Sequence, residues 1–359
     1  MIQKIDTGEA SMIQTPSNTR QTSKPMHLHT LAPQEFGTLT EPHRHELHVH
    51  CYRMLGAMQD AEDIVQETFL RAWQHRATYA SRASVRAWLY KIATNLCLDA
   101  LAQRKRRTLP STRQPAADLN DPIPTDVNEP IWLEPFPDAL LAPAETMPEK
   151  HFLARETINL AFLALLQELP PRQRAVLLLR DVLEWQASEV ADLLDLTVPA
   201  VKSLLFRARR TLAEQDYRAG IDRPSTQAHD PLLSTLYQRY TTAWETADME
   251  GLVALLKEDA TFAMPPIPAW YQGRATIGGL VAKTIFRGDA QGRWRLRPTR
   301  ANGQPAFGLY RVGEQDGVRV YQAYGIQVLT VAGLLIADII TFRVPALFPK
   351  FGLPMHFPA

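Results

Sequence analysis

Two neighbouring segments concentrate the side chains of this 359-residue chain that are best suited to binding chemistry. Residues 60–73 place carboxylates between apolar residues at the spacing of an amphipathic helix, so the acidic groups share the solvent face. Residues 86–99 carry Trp, Tyr, Thr and Asn and run into a basic end at 104–107. A carboxylate face suits docking on a basic protein, whereas an aromatic, polar and basic face suits nucleic acid. A merely solvated charged face is the competing interpretation of the first segment.

Other reactive side chains form weaker constellations. One predicted helix is crowded with potential metal ligands, namely His43, His45, His48, His50 and Cys51. These side chains point in different directions and do not complete the four-ligand set of a structural zinc site, so we expect no metal and no cofactor. Cys51 and Cys97 both lie in predicted helices, where two reduced core thiols are favoured over a redox switch that joins them.

Composition limits the class of protein. The formal net charge of +1 creates no global attraction for nucleic acid, so any DNA contact needs local basic patches. Two cysteines fit a reducing compartment better than a disulfide framework. Residues 1–33 are polar and lack the apolar core of a secretory signal, which predicts a disordered N-terminal arm. The longest apolar stretch, 328–340, is interrupted and too short to cross a bilayer, so we expect a cytoplasmic protein without a membrane partner.

Three blocks must position these side chains. The first block, residues 34–107, reads as helices that begin near Thr40, at Asp60 and at Ser84, each a helix-capping residue type. The second block, 151–216, contains two short helices joined by a tight turn at 195–197, with Thr197 as the cap of the second helix. This is the pattern of a helix-turn-helix, although the usual turn glycine is missing.

The third block and the linkers have a different character. Residues 231–359 begin with two helices and continue as runs rich in Val, Ile, Tyr and Phe, which predicts an α+β fold with an antiparallel sheet. The linker 108–150 is acidic and rich in proline, with an apolar island at 131–133. The linker is either a solvated spacer or an acidic strap that lies in a basic channel of a partner protein. The apolar island indicates that the linker makes a contact. A shorter polar linker spans 217–230.

The first and second blocks together resemble regions 2 and 4 of sigma-70 family RNA polymerase sigma factors of the extracytoplasmic-function (ECF) group. Residues 48–56, the two segments described above and residues 169–174 carry this resemblance. The third block resembles the SnoaL-like fold through residues 260–273, and its tail, 351–354, fits the sigma factors that carry such a domain. The expected fold is therefore multidomain: an all-α region 2 bundle, an all-α region 4 helix-turn-helix, and an α+β SnoaL-like cone with a curved antiparallel sheet.

The resemblance implies a sigma factor that binds core RNA polymerase and promoter DNA, directs promoter recognition and melting, and is regulated by its SnoaL-like domain. It implies a protein that is not an enzyme. The alternative is an enzyme of the SnoaL and ketosteroid-isomerase class fused to a DNA-binding regulator. The acidic face favours the sigma factor, because a simple DNA-binding module has no need of such a face. That face would dock on the beta-prime clamp helices through Glu62, Asp63, Gln66 and Glu67, while region 4 would bind the beta flap.

The resemblance also implies DNA contacts. The minus-10 element would be opened and read by Tyr79, Arg82, Trp88, Tyr90, Asn95, Asp99, Arg104 and Arg106. A base stacked on an aromatic side chain contributes about 1–3 kcal/mol to binding. Trp88 and Tyr90 lie in the same predicted helix, and of these two we expect Trp88 to be mostly core. The duplex of the minus-35 element would be read by Lys202, Ser203, Phe206, Arg207 and Arg210.

The third block is expected to hold a pocket lined by Trp270, Tyr271, Tyr310, Tyr324 and Asp338. A buried aspartate with a raised pKa can act as a general base, but no complete catalytic set is present, so a pocket that senses a small-molecule ligand is favoured over catalysis. We expect the third block to pack against the sigma domains, with residues 270–271 and the tail 351–354 near the contact or the pocket. An independent passenger domain is the alternative.

Overall fold

The computed structural model describes residues 28–79, 84–103, 106–112, 114–124, 132–141, 158–219 and 231–359. The expected N-terminal arm lies almost wholly outside these residues, as do Arg82 and Arg104 from the predicted DNA contacts. Each helix within the described ranges is too short or too polar to span a lipid bilayer.

The first block is a bundle of helices. Its elements are α1 (Pro33–Thr40), α2 (Arg44–Leu55), α3 (Met58–Gln74) and α4 (Val85–Gln103). Leu47, Met54 and Leu89 are fully buried where α2, α3 and α4 meet. Thr40 directly precedes the 3-10 turn Glu41–His43 that leads into α2, so a helical segment begins near the predicted start. The Thr40 hydroxyl does not cap that turn, because it donates back to the Phe36 carbonyl at 2.9 Å within the last turn of α1.

The cap of α3 differs from the prediction. The helix begins at Met58, so Asp60 lies inside its first turn instead of capping it. The Met58 amide donates to the Glu134 carboxylate at 3.1 Å, and Glu134 belongs to the long linker. Asp60 instead pairs with Arg107 at 2.7 Å. A negative charge near a helix N-terminus stabilises it, and here a distant segment supplies that charge.

The second block contains the predicted helix-turn-helix. Its elements are α5 (Leu160–Glu168), α6 (Pro171–Leu177) with a continuing π-helical turn (Leu178–Val182), α7 (Ala187–Leu194) and α8 (Val198–Ala219). Asp195 adopts a left-handed conformation with φ 53° at the end of α7. Aspartate tolerates this conformation better than most residues, which explains how the turn forms without glycine. Thr197 caps α8 as predicted, since its hydroxyl accepts the Ala200 amide at 3.3 Å.

The third block is the predicted α+β domain. Helices α9 (Pro231–Thr246), α10 (Met249–Ala254) and α11 (Arg274–Leu280) accompany strands β1 (Leu256–Ala263), β2 (Trp270–Gln272), β3 (Trp294–Ala301), β4 (Gln304–Gln315), β5 (Val318–Ala332), β6 (Leu335–Phe342) and β7 (His356–Pro358). The strand order is β2–β1–β6–β5–β4–β3, and β7 also pairs with β5. The sheet is mixed where a wholly antiparallel one was expected, because β1 and β6 run parallel.

The two faces of this sheet have different partners. Alternate residues of a strand point to opposite faces. Phe307 and Leu309 point to the inner face, where they share a core with Tyr240 and Trp244 of α9. Ala306, Tyr310 and Phe342 on the outer face instead belong to one hydrophobic core with the first and second blocks. The third block therefore packs against both helical blocks, as expected from the short tether and not as an independent passenger.

Asn302, in the turn between β3 and β4, links the blocks through hydrogen bonds. It is fully buried, and its side-chain amide donates to the Tyr52 hydroxyl and to the Ile158 carbonyl, both at 2.8 Å. Its side-chain oxygen accepts the Phe136 amide at 2.8 Å. One residue of the third block thus contacts α2, the long linker and the start of the second block.

The apolar island of the long linker makes the contact that was expected of it. Trp132 is 8% exposed, and its indole donates to the Pro266 carbonyl of the third block at 2.9 Å. Leu133 is fully buried, and its side chain lies against Gly56 at the end of α2. Neighbouring residues of the island therefore hold the first and third blocks together.

Candidate functional site

Three carboxylates and one glutamine of α3 form one continuous surface, which we call the acidic face. Its members lie along one side of the helix, and each is exposed or half-buried: Glu62, Asp63, Gln66 and Glu67. Asp63 accepts a hydrogen bond from Gln59 at 3.2 Å, and Glu67 pairs with Arg71 at 2.6 Å. Both partners lie within α3 itself, so these contacts leave the acidic face accessible from solvent.

Glu62 has a partner from a different block. The Lys350 ammonium lies 2.6 Å from the Glu62 carboxylate, and the two side chains are 39% and 33% exposed. Lys350 belongs to the 3-10 turn Pro345–Phe351 that follows β6. The third block therefore places a positive charge on the acidic face.

Helix α4 presents a polar and aromatic stripe. Asn95 and Asp99 are exposed and Trp88 is half-buried, and their spacing of seven and four residues puts all three on one side of the helix. The Trp88 ring lies 5.4 Å from the ring of Tyr79, at an interplanar angle of 57°. The structure brings these four predicted minus-10 residues together on one surface.

Tyr90 is separated from that surface. It is fully buried, with its ring 5.0 Å from His50 and 5.2 Å from Trp185 of the second block. Burial raises the pKa of its hydroxyl. The expectation that Trp88 would be the core residue of the pair is therefore wrong in this arrangement, and Tyr90 fills that role because its position turns it toward α2. A base cannot reach Tyr90 while Trp185 covers it.

The second block also forms ion pairs with charged side chains beside this surface. Lys91 of α4 pairs with Asp195 in the helix-turn-helix at 2.7 Å. Arg106 at the basic end pairs with Glu168 of α5 at 2.6 Å. Arg107, the last residue of the basic end, pairs with Asp60 of α3. The two helical blocks are thus closed onto each other along α4.

The recognition helix α8 is free on its outer side. The predicted minus-35 residues are all exposed: Lys202, Ser203, Phe206, Arg207 and Arg210. Phe206 is 66% exposed, an unusual position for a large aromatic side chain. Among the described residues, the Arg207 guanidinium donates to the Ser203 carbonyl of its own helix, and Arg210 pairs weakly with Glu214 at 3.5 Å. Cationic and aromatic groups on one side of an exposed helix are suited to a DNA groove.

The predicted pocket of the third block does not form as one site. Tyr310 lies on the outer face of the sheet, where its ring contacts Phe348 and its hydroxyl donates to the Pro354 carbonyl. Tyr271 is part of the inner core, and the Trp270 indole donates to the Gln114 carbonyl of the long linker at 2.7 Å. Strand alternation puts these side chains on opposite faces, which the residue types alone did not reveal.

Asp338 lies on the outer face too. Its neighbour Ile339 points into the inner core, so the Asp338 carboxylate points the other way, toward Thr261 at 2.6 Å. Burial raises its pKa, while hydrogen bonds from Thr261 and Thr330 lower it. Of the five predicted pocket residues, Tyr324 lines an actual cavity, about 190 Å³ in volume. Asp338 is absent from that cavity, so it cannot act there as a general base.

The histidines in and just before α2 and the two cysteines of α2 and α4 bond or pack within the first block. His43 bonds Glu46 and His50 bonds the Thr94 hydroxyl, in separate directions. No group of three potential metal ligands converges anywhere in the described ranges. Cys51 and Cys97 are free and fully buried. Burial and a hydrogen bond with the Cys51 sulfur raise the pKa of the Cys97 thiol, so the two do meet across α2 and α4, as unreactive thiols.

Comparisons with known proteins agree with this architecture. Family profiles match Sigma-70 region 2 at residues 39–107, Sigma-70 region 4 at residues 159–212, and the SnoaL-like domain at residues 237–339. The ECF RNA polymerase sigma factor SigG of Mycobacterium tuberculosis is 43% identical over 322 residues, which cover 89% of this chain and 84% of SigG. The chain belongs to the ECF family of RNA polymerase sigma factors.

More distant relatives support the same conclusion. The ECF sigma factor SigW of Bacillus subtilis is 28% identical over 180 residues, which cover 50% of this sigma factor and 88% of SigW. The crystal structure of the Mycobacterium tuberculosis ECF sigma factor SigJ matches the fold with a TM-score of 0.56, at 24% identity, over 89% of this chain and 99% of SigJ. This protein is therefore a transcription initiation factor that binds core RNA polymerase and promoter DNA.

Sequence reasoning missed two residues of the acidic face and its surroundings. Leu70 is 50% exposed and lies seven residues after Asp63, on the same side of α3. An apolar side chain within a charged docking surface is typical of protein interfaces, and helical spacing would have identified it. Lys350 lies almost 300 positions from Glu62 in the sequence, so only the folded structure reveals their contact.

Proposed function

We propose that the SnoaL-like domain regulates this sigma factor by holding regions 2 and 4 in a closed arrangement, which opens when core polymerase binds. The contact between Lys350 and Glu62 carries this proposal, because it places a residue of the SnoaL-like domain on the acidic face. In the open state the acidic face would dock on the beta-prime clamp helices, and region 4 would bind the beta flap.

Closure would also limit contact with DNA. Trp185 of region 4 covers Tyr90, and Asp195 holds Lys91, beside the stripe that is expected to read the minus-10 element. Separation of region 4 from α4 would expose Tyr90 for stacking and free Lys91 and Arg106 for phosphates. The recognition helix would meanwhile read the minus-35 duplex through Ser203 and Arg207 and their neighbours.

The relative strengths of the contacts identify what maintains closure. A surface ion pair such as Lys350–Glu62 contributes only about 0–1 kcal/mol. The hydrophobic core shared by regions 2 and 4 and the sheet, together with the buried hydrogen bonds of Asn302, contributes more. Lys350 therefore modulates access to the acidic face, while the shared core sets the closed geometry.

We further propose that the SnoaL-like domain has a regulatory role and no catalytic one. The position of Asp338 on the outer face supports this view, since a general base is of use only where a substrate can reach it. A fused SnoaL-class enzyme would need its acid or base on the inner side, where the cavity lies.

The Lys350 contact is tested by replacing the lysine. Lys350→Ala removes a competing charge, so we expect core polymerase to bind up to about fivefold more tightly, the equivalent of about 1 kcal/mol. Fluorescence anisotropy of labelled protein titrated with core polymerase measures this affinity. Lys257→Ala is the matched control, because Lys257 is a partly exposed lysine of the same domain that pairs locally with Asp259. Unchanged or weaker binding of Lys350→Ala, relative to that control, would contradict the proposal.

A further inference from the structure

The cavity in the SnoaL-like domain has an apolar and aromatic interior. It lies between the inner face of the sheet and the π-helical turn Val281–Ile285, and has a volume of about 190 Å³. Met264 and Trp294 are buried in its wall, and Ile285 and Tyr324 are partly buried beside them. The rings of Trp294 and Tyr324 lie 5.0 Å apart in an edge-to-face arrangement, so the wall offers two fixed aromatic surfaces.

Three arginines surround this apolar interior. Arg293, Arg311 and Arg343 all line the cavity, and the described residues of its lining include no aspartate or glutamate. The Arg343 guanidinium lies 5.0 Å from the centre of the Tyr324 ring, and that of Arg311 lies 5.9 Å from the Trp294 ring. Three cations, one directly before β3, one on β4 and one directly after β6, therefore converge on one opening.

The described residues place no neutralising carboxylate in the lining of the cavity. Among the described residues, neither Arg311 nor Arg343 forms an ion pair with a carboxylate. Arg293 donates to the backbone carbonyls of Arg287 and Asp289 at 3.0 and 2.6 Å, which fixes its position and leaves its charge intact. A concave surface with one sign of charge concentrates ligands of the opposite sign.

We propose that this cavity binds a small organic anion, with a carboxylate head group on an aromatic or short aliphatic body. The planar guanidinium group is suited to bidentate recognition of a carboxylate, and the aromatic wall is suited to the apolar body. The volume is below the roughly 300–1,000 Å³ of sites for drug-sized ligands, which limits the body to about one ring or a short chain.

The long linker forms part of the same cavity. Ile123 lines it, and the linker reaches it along a path fixed by several contacts. The Ala117 amide donates to the Trp270 carbonyl at 2.8 Å, and the Lys283 ammonium donates to the Leu119 carbonyl at 3.0 Å. A bound anion would therefore touch the segment that joins region 2 to region 4. This coupling of the ligand to the sigma domains rests on the proposed regulatory function, whereas binding itself does not.

Isothermal titration calorimetry of the full-length protein tests binding directly, without polymerase or DNA. The probes are benzoate, 2-naphthoate and octanoate, with benzyl alcohol as the neutral analogue and inorganic phosphate as an anion without an apolar body. We expect saturable binding of at least one carboxylate, and at least about tenfold weaker binding of both benzyl alcohol and phosphate, the equivalent of about 1.4 kcal/mol.

Variants of the arginines locate the site. The double variant Arg311→Gln and Arg343→Gln should weaken carboxylate binding at least about tenfold. Arg239→Gln, which alters an exposed arginine on α9 away from the cavity, should leave it unchanged. Absence of saturable binding for all three carboxylates, equal binding in the double variant, or equal binding of phosphate would each overturn the proposal.

Hydrogen exchange separates binding from coupling. If the anion touches the linker, carboxylate at saturation should slow amide exchange in residues 114–124, including the amide of Ala117. Ile123→Asp, which introduces a carboxylate into the cavity wall, should weaken binding and abolish this protection. Binding without any change in linker exchange would overturn the coupling, and the polymerase affinity of Lys350→Ala would still test the proposed function independently.

Discussion

Trp88 and Tyr90 are two residues apart on α4, and their surroundings assign them different roles. Trp88 shares a partly exposed stripe with Asn95 and Asp99, whereas Tyr90 is buried between His50 and Trp185. We infer that Trp88 is available to an unpaired promoter base at first contact. Tyr90 becomes available only after region 4 has moved away.

Replacing Trp88 should therefore impair promoter melting. We expect Trp88→Ala to reduce open-complex formation by roughly 5- to 150-fold, since one lost base stack costs about 1–3 kcal/mol. Permanganate reactivity of unpaired thymines measures melting. Tyr90→Phe is the control, because it keeps the ring and removes a hydroxyl that lies 3.4 Å from the Glu46 carboxylate. Equal melting by Trp88→Ala and wild type would refute the role of the indole.

His50 makes stability depend on pH. Burial lowers its pKa from 6.5 to about 3, helped by the charges of Arg53 and Arg86. The unfolded chain therefore binds a proton that the folded chain excludes. The loss of folding stability caused by His50 is negligible above pH 6.5 and grows progressively as the pH falls toward 3.

The size of this pH effect can be measured. Between pH 7.5 and 5, His50 should reduce the free energy of unfolding by about 2 kcal/mol. Urea unfolding at these two values should show a smaller loss for His50→Gln than for wild type. The pKa values of His45 and His48 are also lowered by burial, so some pH dependence should remain in the variant. An identical loss in both proteins would mean that His50 titrates normally.

At the scale of elements, we propose that the acidic face of α3 and the outer side of α8 bind different partners. Arg207→Ala removes one cation from an exposed helix, so we expect weaker binding of upstream duplex DNA. The salt dependence of this DNA affinity should fall by the equivalent of about one phosphate contact. Its affinity for core polymerase should be unchanged. Glu62→Lys combined with Glu67→Lys should have the reverse effect, because it places like charges on a docking surface. Equal loss of polymerase affinity in both variants would argue against this division.

The sequence predicts those elements that depend on local patterns. The periodicity of residues 60–73 and the Thr197 cap specify α3 and α8 without knowledge of the rest of the chain. The same helical spacing places Trp88 in line with Asn95, although residue type alone suggested a core position for the indole. Leu70 could be found in the same way.

Non-local contacts could not be predicted from the sequence. Glu134 caps α3 from a linker that is more than 70 residues away in the chain, so Asp60 was assigned that role instead. The parallel pairing of β1 with β6 depends on the order of strands in the sheet. The outward position of Asp338 depends on which residues of β6 face the inner core, and the neighbouring Ile339 does so only in the folded sheet. The candidate cavity was partly predicted through Tyr324, but its arginines come from three separate parts of the chain that only the fold brings together.

At the scale of the whole molecule, the three domains form one assembly. Asn302 joins the SnoaL-like domain to α2, to the linker and to the start of region 4, and the outer face of the sheet shares its core with both sigma domains. In this arrangement a charge from the SnoaL-like domain lies on the acidic face, and region 4 lies along α4. We propose that polymerase binding and closure compete for these surfaces, which would be the physical basis of the regulation.

The distance between regions 2 and 4 tests this account most directly. Single-molecule energy transfer between dyes at Gln74→Cys and Glu214→Cys reports it, because both positions are exposed and the native Cys51 and Cys97 are fully buried. The account predicts one high-transfer population in the free protein and a shift to low transfer when saturating core polymerase is added. A free protein that already shows low transfer, or high transfer that persists in the complex with polymerase, would contradict it.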